Sequence, residues 1–153
     1  MDFSRAKAFH EGKRVEVCSR QEGFQGSYYA ATILQYMGDN KYKVKYDRLV
    51  CEDDHSKPLE EVVEADEIRP RPPPPPPEKA KAGFAEGDRV DAFDNDGCWA
   101  GTITWKTGCY FGVQFETGDH IGYPEKMLRH HLDWRNGNWC FIYEMASNLP
   151  NKK

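Results

Sequence analysis

Long apolar runs and a strong charge excess are both absent from this chain of 153 residues. No stretch approaches the roughly 20 uninterrupted apolar residues that span a bilayer. The first residues, MDFSRAKAFHEG, lack the apolar core of a signal peptide. We therefore expect neither a membrane protein nor a secreted one. The net charge is only −4, which argues against a simple polyanion binder, because nucleic-acid domains usually carry a strong basic excess.

Paired cysteine motifs are also missing. The odd number of cysteines and the lack of a CxxC pair indicate neither a zinc cluster nor a closed disulfide framework. We expect reduced thiols in an intracellular protein, without a metal or other cofactor. Cys51 and His55 could supply half of a metal site, but no second half follows them. The five cysteines are Cys18, Cys51, Cys98, Cys109 and Cys140.

Signatures of the common enzyme classes do not occur. The chain contains no HExxH, GxSxG or P-loop sequence, and Cys109 has no recognisable catalytic partner. The histidines are not spaced as catalytic or metal-binding pairs. The sequence therefore predicts a protein that is not an enzyme.

Acidic residues are concentrated in one region between Glu52 and Glu67. Only Lys57 interrupts them, so the region should attract a cationic partner. The alternative is a solvated acidic loop. The acidic residues are Glu52, Asp53, Asp54, Glu60, Glu61, Glu64, Asp66 and Glu67.

A proline run, PRPPPPPPEKAKAG at residues 70–83, divides the chain. Proline cannot donate sheet hydrogen bonds, so the run should be extended polyproline and serve as a spacer over residues 73–83. The competing interpretation is a scaffold in which the run is the ligand of an SH3-type domain.

The sequences on the two sides of the proline run repeat one another. Four blocks recur in the same order, which indicates a duplication of one short unit. The matched pairs are FHEGKRVEVCS (9–19) with FAEGDRVDAFD (84–94), SYYAATI (27–33) with GCWAGTI (97–103), YKVKYD (42–47) with FGVQFE (111–116), and DEIRPR (66–71) with EKMLRH (125–130).

The repeated blocks alternate polar and apolar residues with period two, as in RVEVC, KYKVKY and FGVQF, which is typical of strands. Segments such as MGDN and DNDG mark turns between them. We therefore predict an all-β protein with two small antiparallel β-barrels of about five strands each, because closure removes exposed sheet edges. The barrels would cover residues 9–72 and 84–146 and pack together in a monomer.

Four blocks follow one another in each unit: EG(K/D)RV, (Y/W)xxTI, Vx(F/Y) and a final (I/L)R. Together these blocks resemble the plant Agenet domain of the Tudor-like royal superfamily. The resemblance covers residues 9–72 and 84 to about 143. More narrowly, the chain is similar to tandem Agenet modules of plant heterochromatin proteins. The resemblance implies a nuclear histone reader that binds the H3 tail dimethylated at its ninth-residue lysine and supports gene silencing.

The resemblance also implies an aromatic cage in the first unit, since aromatic faces attract an alkylammonium by cation–π interaction. Period-two alternation puts the adjacent Tyr28 and Tyr29 on opposite faces, one toward the core and one toward the pocket. The alternative is that these rings only fill the core. The cage candidates are Phe24, Tyr28, Tyr29 and Tyr46, and the acidic peptide contacts are Asp47, Glu52, Asp53 and Asp54.

The second unit offers an equivalent set of residues. We rank it below the first unit, which has more tyrosines and the denser acidic cluster, and expect it to contact another part of the same tail. Its aromatic candidates are Phe93, Trp99 and Phe115, and its acidic candidates are Asp94, Asp96 and Glu116.

A single-stranded nucleic-acid reader is the main alternative function. Lys41, Lys43 and Lys45 alternate with apolar and aromatic residues and would give one basic strand face. Aromatic barrels can stack unpaired bases. The net acidity of the chain argues against this alternative, as does the isolation of the lysine row.

Overall fold

The computed structural model describes residues 9–18, 20 and 26–140, which form an almost entirely β fold. The chain divides into two compact units. The first contains the described residues up to Arg71 together with Asp94–Trp99. The second contains Pro72–Phe93 together with the described residues from Ala100 onward. Asp94–Trp99, which the repeat placed in the second unit, thus belongs to the first.

Five antiparallel strands build the first unit in the order β5-β1-β2-β3-β4. Polar and apolar residues alternate along them, so one face of the sheet carries the core. Tyr29, Ala31 and Ile33 of β2 are buried on that face. The strands are β1 (Arg14–Cys18), β2 (Ser27–Gly38), β3 (Lys41–Val50), β4 (Pro58–Glu64) and β5 (Ile68–Pro70), with a 3₁₀ turn at Ala65–Glu67 before β5.

The second unit repeats this arrangement in the order β10-β6-β7-β8-β9. A short hairpin, β11–β12, follows it. In this hairpin the rings of Trp134 and Trp139 pack edge to face, with their centroids 5.0 Å apart. The strands are β6 (Arg89–Asp94), β7 (Gly97–Thr107), β8 (Tyr110–Phe115), β9 (His120–Pro124), β10 (Leu128–His130), β11 (Asp133–Arg135) and β12 (Asn138–Cys140), with a 3₁₀ turn at Glu125–Met127.

The same backbone hydrogen bonds recur in both units. The Gly12 N–H donates to the Ile33 carbonyl at 2.8 Å, and the Gly87 N–H donates to the Ile103 carbonyl at 2.7 Å. Asp39 and Asn40, between β2 and β3, and Asn95 and Asp96, between β6 and β7, have positive φ in two-residue hairpin turns. The predicted duplication and its turns are therefore confirmed.

The pairing of the last strand in each unit shifts the alignment of the fourth repeat block by one residue. Arg69 lies opposite Glu16 in the β1–β5 ladder, and Arg129 lies opposite Asp91 in the β6–β10 ladder. Each pair forms a buried or partly buried ion pair, at 2.9 and 2.8 Å. DEIRPR therefore matches residues 126–131, not 125–130. The matched sequences are too short to set this register, whereas the ion pair fixes it.

The all-β prediction is confirmed, but the predicted closure into barrels is wrong. Within the described residues, β4 pairs only with β3, and β5 pairs only with β1. The 3₁₀ turn Ala65–Glu67 redirects the chain between β4 and β5, and β5 is only three residues long. The open β4 edge carries glutamates, and charge on an edge strand opposes pairing with other chains.

The prediction of an extended run from residue 70 to 83 is also wrong in its second half. Pro77–Ala82 forms a short helix, α1. Pro77 occupies the first position of α1, where a backbone N–H would have no partner within the helix, so its absence in proline costs nothing. The following EKAKA is rich in helix-forming residues. None of the described helical segments has the length and apolarity that a bilayer crossing needs.

His131 links two carboxylates inside the second unit. Its Nδ1 lies 2.7 Å from Asp91 Oδ1 and its Nε2 lies 2.8 Å from Asp133 Oδ1. Burial alone lowers the pKa of His131, but the hydrogen bonds and charges of both aspartates outweigh burial and raise that pKa above its usual value. Burial likewise opposes ionisation of Asp91, but His131 and Arg129 lower the pKa of Asp91 overall.

We expect the stability of the protein to fall as the pH rises above about 6.5, the usual histidine pKa, because His131 is protonated more readily in the folded state. Its contribution is fully present below the unfolded pKa and is lost as the pH rises through the folded pKa. His131→Gln should lower the melting temperature at pH 6 and flatten its decline up to pH 9. Circular dichroism would measure both. The exposed His55→Gln is the matched control. Parallel curves for wild type and H131Q would contradict the assignment.

Candidate functional site

Two tyrosines meet on the core face of the first unit. Ala31 pairs with Tyr46, so Tyr29, two residues before Ala31, lies diagonally across the β2–β3 ladder from Tyr46. Tyr29 exposes only 7% of its surface and Tyr46 only 5%. These two rings therefore belong to the core of the unit and leave little surface for a ligand.

Trp99 adds a partly exposed ring to this pair. It lies opposite Ser27, and Cys98 lies opposite Tyr28, in a short antiparallel ladder of the first unit. The ring centroids of Trp99 and Tyr29 are 6.5 Å apart, with an angle of 82° between the planes. The Trp99 Nε1–H donates to the Asp94 carbonyl at 3.0 Å, which fixes the orientation of the indole.

Gly97 makes the approach of these rings feasible. A Cβ atom at this position would lie 2.5 Å from Tyr29 Cε1 and 2.9 Å from Cδ1, closer than packed atoms come. The absence of a side chain at Gly97 lets the Tyr29 ring lie against the backbone of residues 97–99. We refer to Tyr29, Tyr46 and Trp99 as the aromatic cluster.

A carboxylate adjoins the aromatic cluster. The Tyr46 hydroxyl donates to Glu61 Oε1 at 2.6 Å. Burial, and then this hydrogen bond, raise the pKa of Tyr46 far above its usual value, and the Glu67 carboxylate acts in the same direction. The phenol therefore stays neutral, and Glu61, which is exposed, supplies negative charge beside the rings.

Tyr28 takes a different place from the other predicted cage residues. It alternates with Tyr29 and so lies on the opposite face of β2. The Arg69 guanidinium carbon lies 3.7 Å from the centroid of its ring, and Arg69 also pairs with Glu16. The Tyr28 ring thus already faces a cation of the protein. Phe24 lies outside the described residues.

Two of the acidic residues predicted to contact a peptide, Asp47 and Asp54, already have partners within the protein. Asp47 pairs with Arg71 at 2.8 Å and with Arg14 at 3.4 Å. Asp54 accepts hydrogen bonds from the Ser56 hydroxyl and backbone N–H, which lower its pKa. Glu52 and Asp53 are exposed in the turn between β3 and β4.

Glu61 was part of the predicted acidic region but not of the predicted site. Its place depends on the β3–β4 register, in which Glu61 pairs with Val44, two residues before Tyr46. The alternation of Leu59, Glu61 and Val63 along β4 was the available signal. That signal puts the three side chains on one face but does not give the register.

The second-unit candidates are divided between the two compact units. Phe115 packs edge-on against Tyr123, with centroids 6.2 Å apart, beside the core of the second unit. Trp99 and Asp94 belong to the first unit, whereas Phe93 and Glu116 belong to the second. Asp96 lies in the hairpin turn before β7 and is exposed.

The lysine row of the nucleic-acid alternative faces acidic residues. Lys41 pairs with Glu64 in the β3–β4 ladder, and Lys45 pairs with Glu60. Lys43 Nζ lies 3.5 Å from Glu60 Oε1. The row is therefore part of a mixed-charge ladder and not a basic face that would follow a phosphate backbone.

No metal centre accompanies the aromatic cluster. In residues 9–18, 20 and 26–140, no group of three or more His, Cys, Asp and Glu side chains could hold a metal ion. The five cysteines are free thiols.

Comparisons with known proteins point to one family. The family model of the Agenet domain matches residues 12–73. The chain is 36% identical over 134 residues to the Arabidopsis thaliana protein AGENET DOMAIN (AGD)-CONTAINING P1; the match covers 86% of this chain but only 25% of that relative.

Two solved structures match nearly the whole chain. A crystal structure of Arabidopsis thaliana AGDP1 AGD34 is 33% identical, with a TM-score of 0.80, and the match covers 92% of this chain and 97% of that one. A crystal structure of ADCP1 tandem Agenet domain 3-4 is 30% identical, with a TM-score of 0.75, and the match covers 92% and 96%.

We predict that Tyr46→Phe and Glu61→Gln are energetically coupled. Tyr46→Phe removes the hydroxyl that donates to Glu61, so it should cost about 1 kcal/mol of unfolding free energy. After Glu61→Gln the same change should cost less, with a coupling of roughly 0.5 kcal/mol or more. Urea denaturation of the four proteins measures this. Tyr110→Phe, at an exposed ring, is the control for the loss of a hydroxyl. Strict additivity would show that the contact does not stabilise the site.

Proposed function

We propose, because this chain belongs to the Agenet domain family, that its first unit is a reader of methylated lysine in the histone H3 tail. Tandem Agenet domains of the AGDP1 and ADCP1 type are chromatin-related reader modules, and Tudor-like domains commonly bind methylated peptides. Such reader domains are not enzymatic folds. The chain spans about a quarter of the AGENET DOMAIN (AGD)-CONTAINING P1 relative.

The observation that carries the proposal is the right-angled contact of Trp99 with Tyr29. Methylation leaves the lysine ammonium its charge but removes hydrogen-bond donors and hydration. An alkylammonium is therefore favoured next to aromatic faces, where the cation–π attraction reaches about 2 kcal/mol once water is excluded. Trp99, which is partly exposed, supplies the aromatic face in this proposal, and the buried Tyr29 and Tyr46 support it from the core.

Glu61 supports a preference for dimethyl-lysine. A dimethylammonium retains one N–H, and a carboxylate beside the rings is a charge-assisted acceptor for it. Trimethyl-lysine has no such donor, so it gains only the non-directional attraction of the charge. We therefore propose the dimethylated ninth-residue lysine of H3 as the ligand, bound by Tyr29, Tyr46, Trp99 and Glu61, with Phe24 retained as a candidate from the resemblance.

The remainder of the tail would be held by electrostatics. Histone tails are rich in lysine and arginine, and the exposed carboxylates Glu52, Asp53 and Glu116 offer complementary charge. Contacts by both units would raise the affinity beyond that of one cage, which buries little area. In this function the chain acts as a monomer in nuclear heterochromatin and supports gene silencing.

The decisive experiment is a calorimetric titration of the full chain with H3 peptides that are unmodified or mono-, di- or trimethylated at the ninth-residue lysine. We expect the dimethylated peptide to bind most tightly. Trp99→Ala should weaken its binding at least about tenfold, because truncating a central aromatic anchor typically costs 2 kcal/mol or more. Glu61→Gln should reduce the preference for dimethyl over trimethyl.

Trp105→Ala is the matched control, since Trp105 belongs to the second unit and is exposed. It should leave peptide affinity unchanged. Equal affinity for all four peptides would reject the proposal. The proposal would also be rejected if W105A lost as much affinity for the dimethylated peptide as W99A, provided that circular dichroism shows both variants to be folded.

A further inference from the structure

An exposed aromatic surface lies on the second unit, on the face of β7–β9 opposite its core. Trp105 pairs with Gly112, and Gly112 pairs with Gly122, so the three form one row across the sheet. Tyr110 and Pro124 pair in the next row. Trp105 exposes 40% of its surface and Tyr110 exposes 50%, which is unusual for rings of this size.

The indole of Trp105 lies against the backbone of Gly112 and Gly122, and we call these two residues the glycine bed. A Cβ atom on Gly112 would overlap the Trp105 ring, and one on Gly122 would lie 3.4 Å from Trp105 Cη2 and 3.9 Å from Tyr110 Cδ2. The indole thus rests on the backbone of β8 and β9, with the Tyr110 ring beside it. A bulge between Ile103 and Trp105 changes the alternation of β7 and turns Trp105 to this outer face.

The first unit shows that the fold does not require this surface. Its β2 has the same bulge, and the equivalent row is Gln35, Lys43 and Val62, with Lys41 and Glu64 in the next row. That face is a solvated ladder of charged residues, which includes the Lys43–Glu60 ion pair. At the equivalent positions the second unit has Gly112, Tyr110 and Pro124 in place of the charged Lys43, Lys41 and Glu64, and Trp105 in place of Gln35.

The surface carries no charge complementary to nucleic acid or to a basic tail. The rows Trp105, Gly112, Gly122 and Thr107, Tyr110, Pro124 contain no carboxylate, ammonium or guanidinium group. Hydrogen-bonding groups border them, among them Thr104 Oγ1, which lies 2.8 Å from His120 Nε2. A neutral ligand with ring-shaped apolar groups fits this combination.

We propose that the surface formed by Trp105, Tyr110 and the glycine bed binds an extended, proline-rich segment of a partner protein. A polyproline II chain has no internal hydrogen bonds, so its carbonyl oxygens need donors, and the Trp105 Nε1–H is a donor within the surface. Its pyrrolidine rings pack against aromatic side chains, as in other domains that recognise proline-rich peptides. The preformed conformation of such a ligand lowers the entropic cost of binding.

The test is an NMR titration of the ¹⁵N-labelled full chain with decaproline, following the indole N–H signal of Trp105, which is assigned as the signal missing from W105A. We expect that signal to shift with saturation. Trp105→Ala and Tyr110→Ala should each weaken binding at least about tenfold, as loss of a central aromatic contact does. Gly112→Ala should also weaken it, because its Cβ displaces the indole from its bed.

Met37→Ala, at an equally exposed apolar residue of the first unit, is the control and should bind like wild type. No shift with decaproline, or equal affinity in Y110A and M37A, would overturn the proposal. A shift produced by oligouridylate but not by decaproline would assign the surface to unpaired bases instead. The chain could instead form a concentration-dependent dimer that is lost in W105A and also after replacement of Pro74–Pro76 by serine. This result would show that a second copy of the chain occupies the surface, and it would overturn the proposal.

Discussion

Two backbone pairs, Ser27 with Trp99 and Tyr28 with Cys98, bring the proposed site together. They place an indole from a segment 70 residues further along the chain, the difference between 99 and 29, against the ring of Tyr29. Without this ladder the proposed site would contain only the two buried phenol rings of Tyr29 and Tyr46. A cut at the proline run would therefore separate Trp99 from the unit that it completes.

Carboxylates act in two different ways in this protein. Glu16 and Asp91 are buried and pair with arginines from the last strand of each five-strand set. Buried ion pairs often contribute little net stability, since desolvation offsets the attraction, but removing one partner is costly. They therefore specify register. Glu61 is exposed and remains available to a cationic ligand beside the rings.

The duplicated units keep one ladder pattern and differ on their outer faces. Backbone pairing depends little on side-chain identity, so the equivalent rows can carry lysine and glutamate in one unit and tryptophan and glycine in the other. A tandem module can in this way offer two chemically distinct surfaces, one for an alkylammonium and one for a neutral extended chain.

The sequence by itself determined the strands, the hairpin turns, the duplication and the family, because period-two alternation and turn residues such as Asp39 and Asn40 act locally. Tyr29 and Tyr46 could be singled out for the same reason, since they occupy matched positions in the repeat. Only the tertiary structure decided that Trp99 joins Tyr29, that Arg69 covers Tyr28, that Glu61 and not Asp47 adjoins the rings, and that the sheets stay open. Each of these depends on the register between strands distant in sequence, and register is set by the packing and ion pairs of the whole fold, which no local pattern encodes.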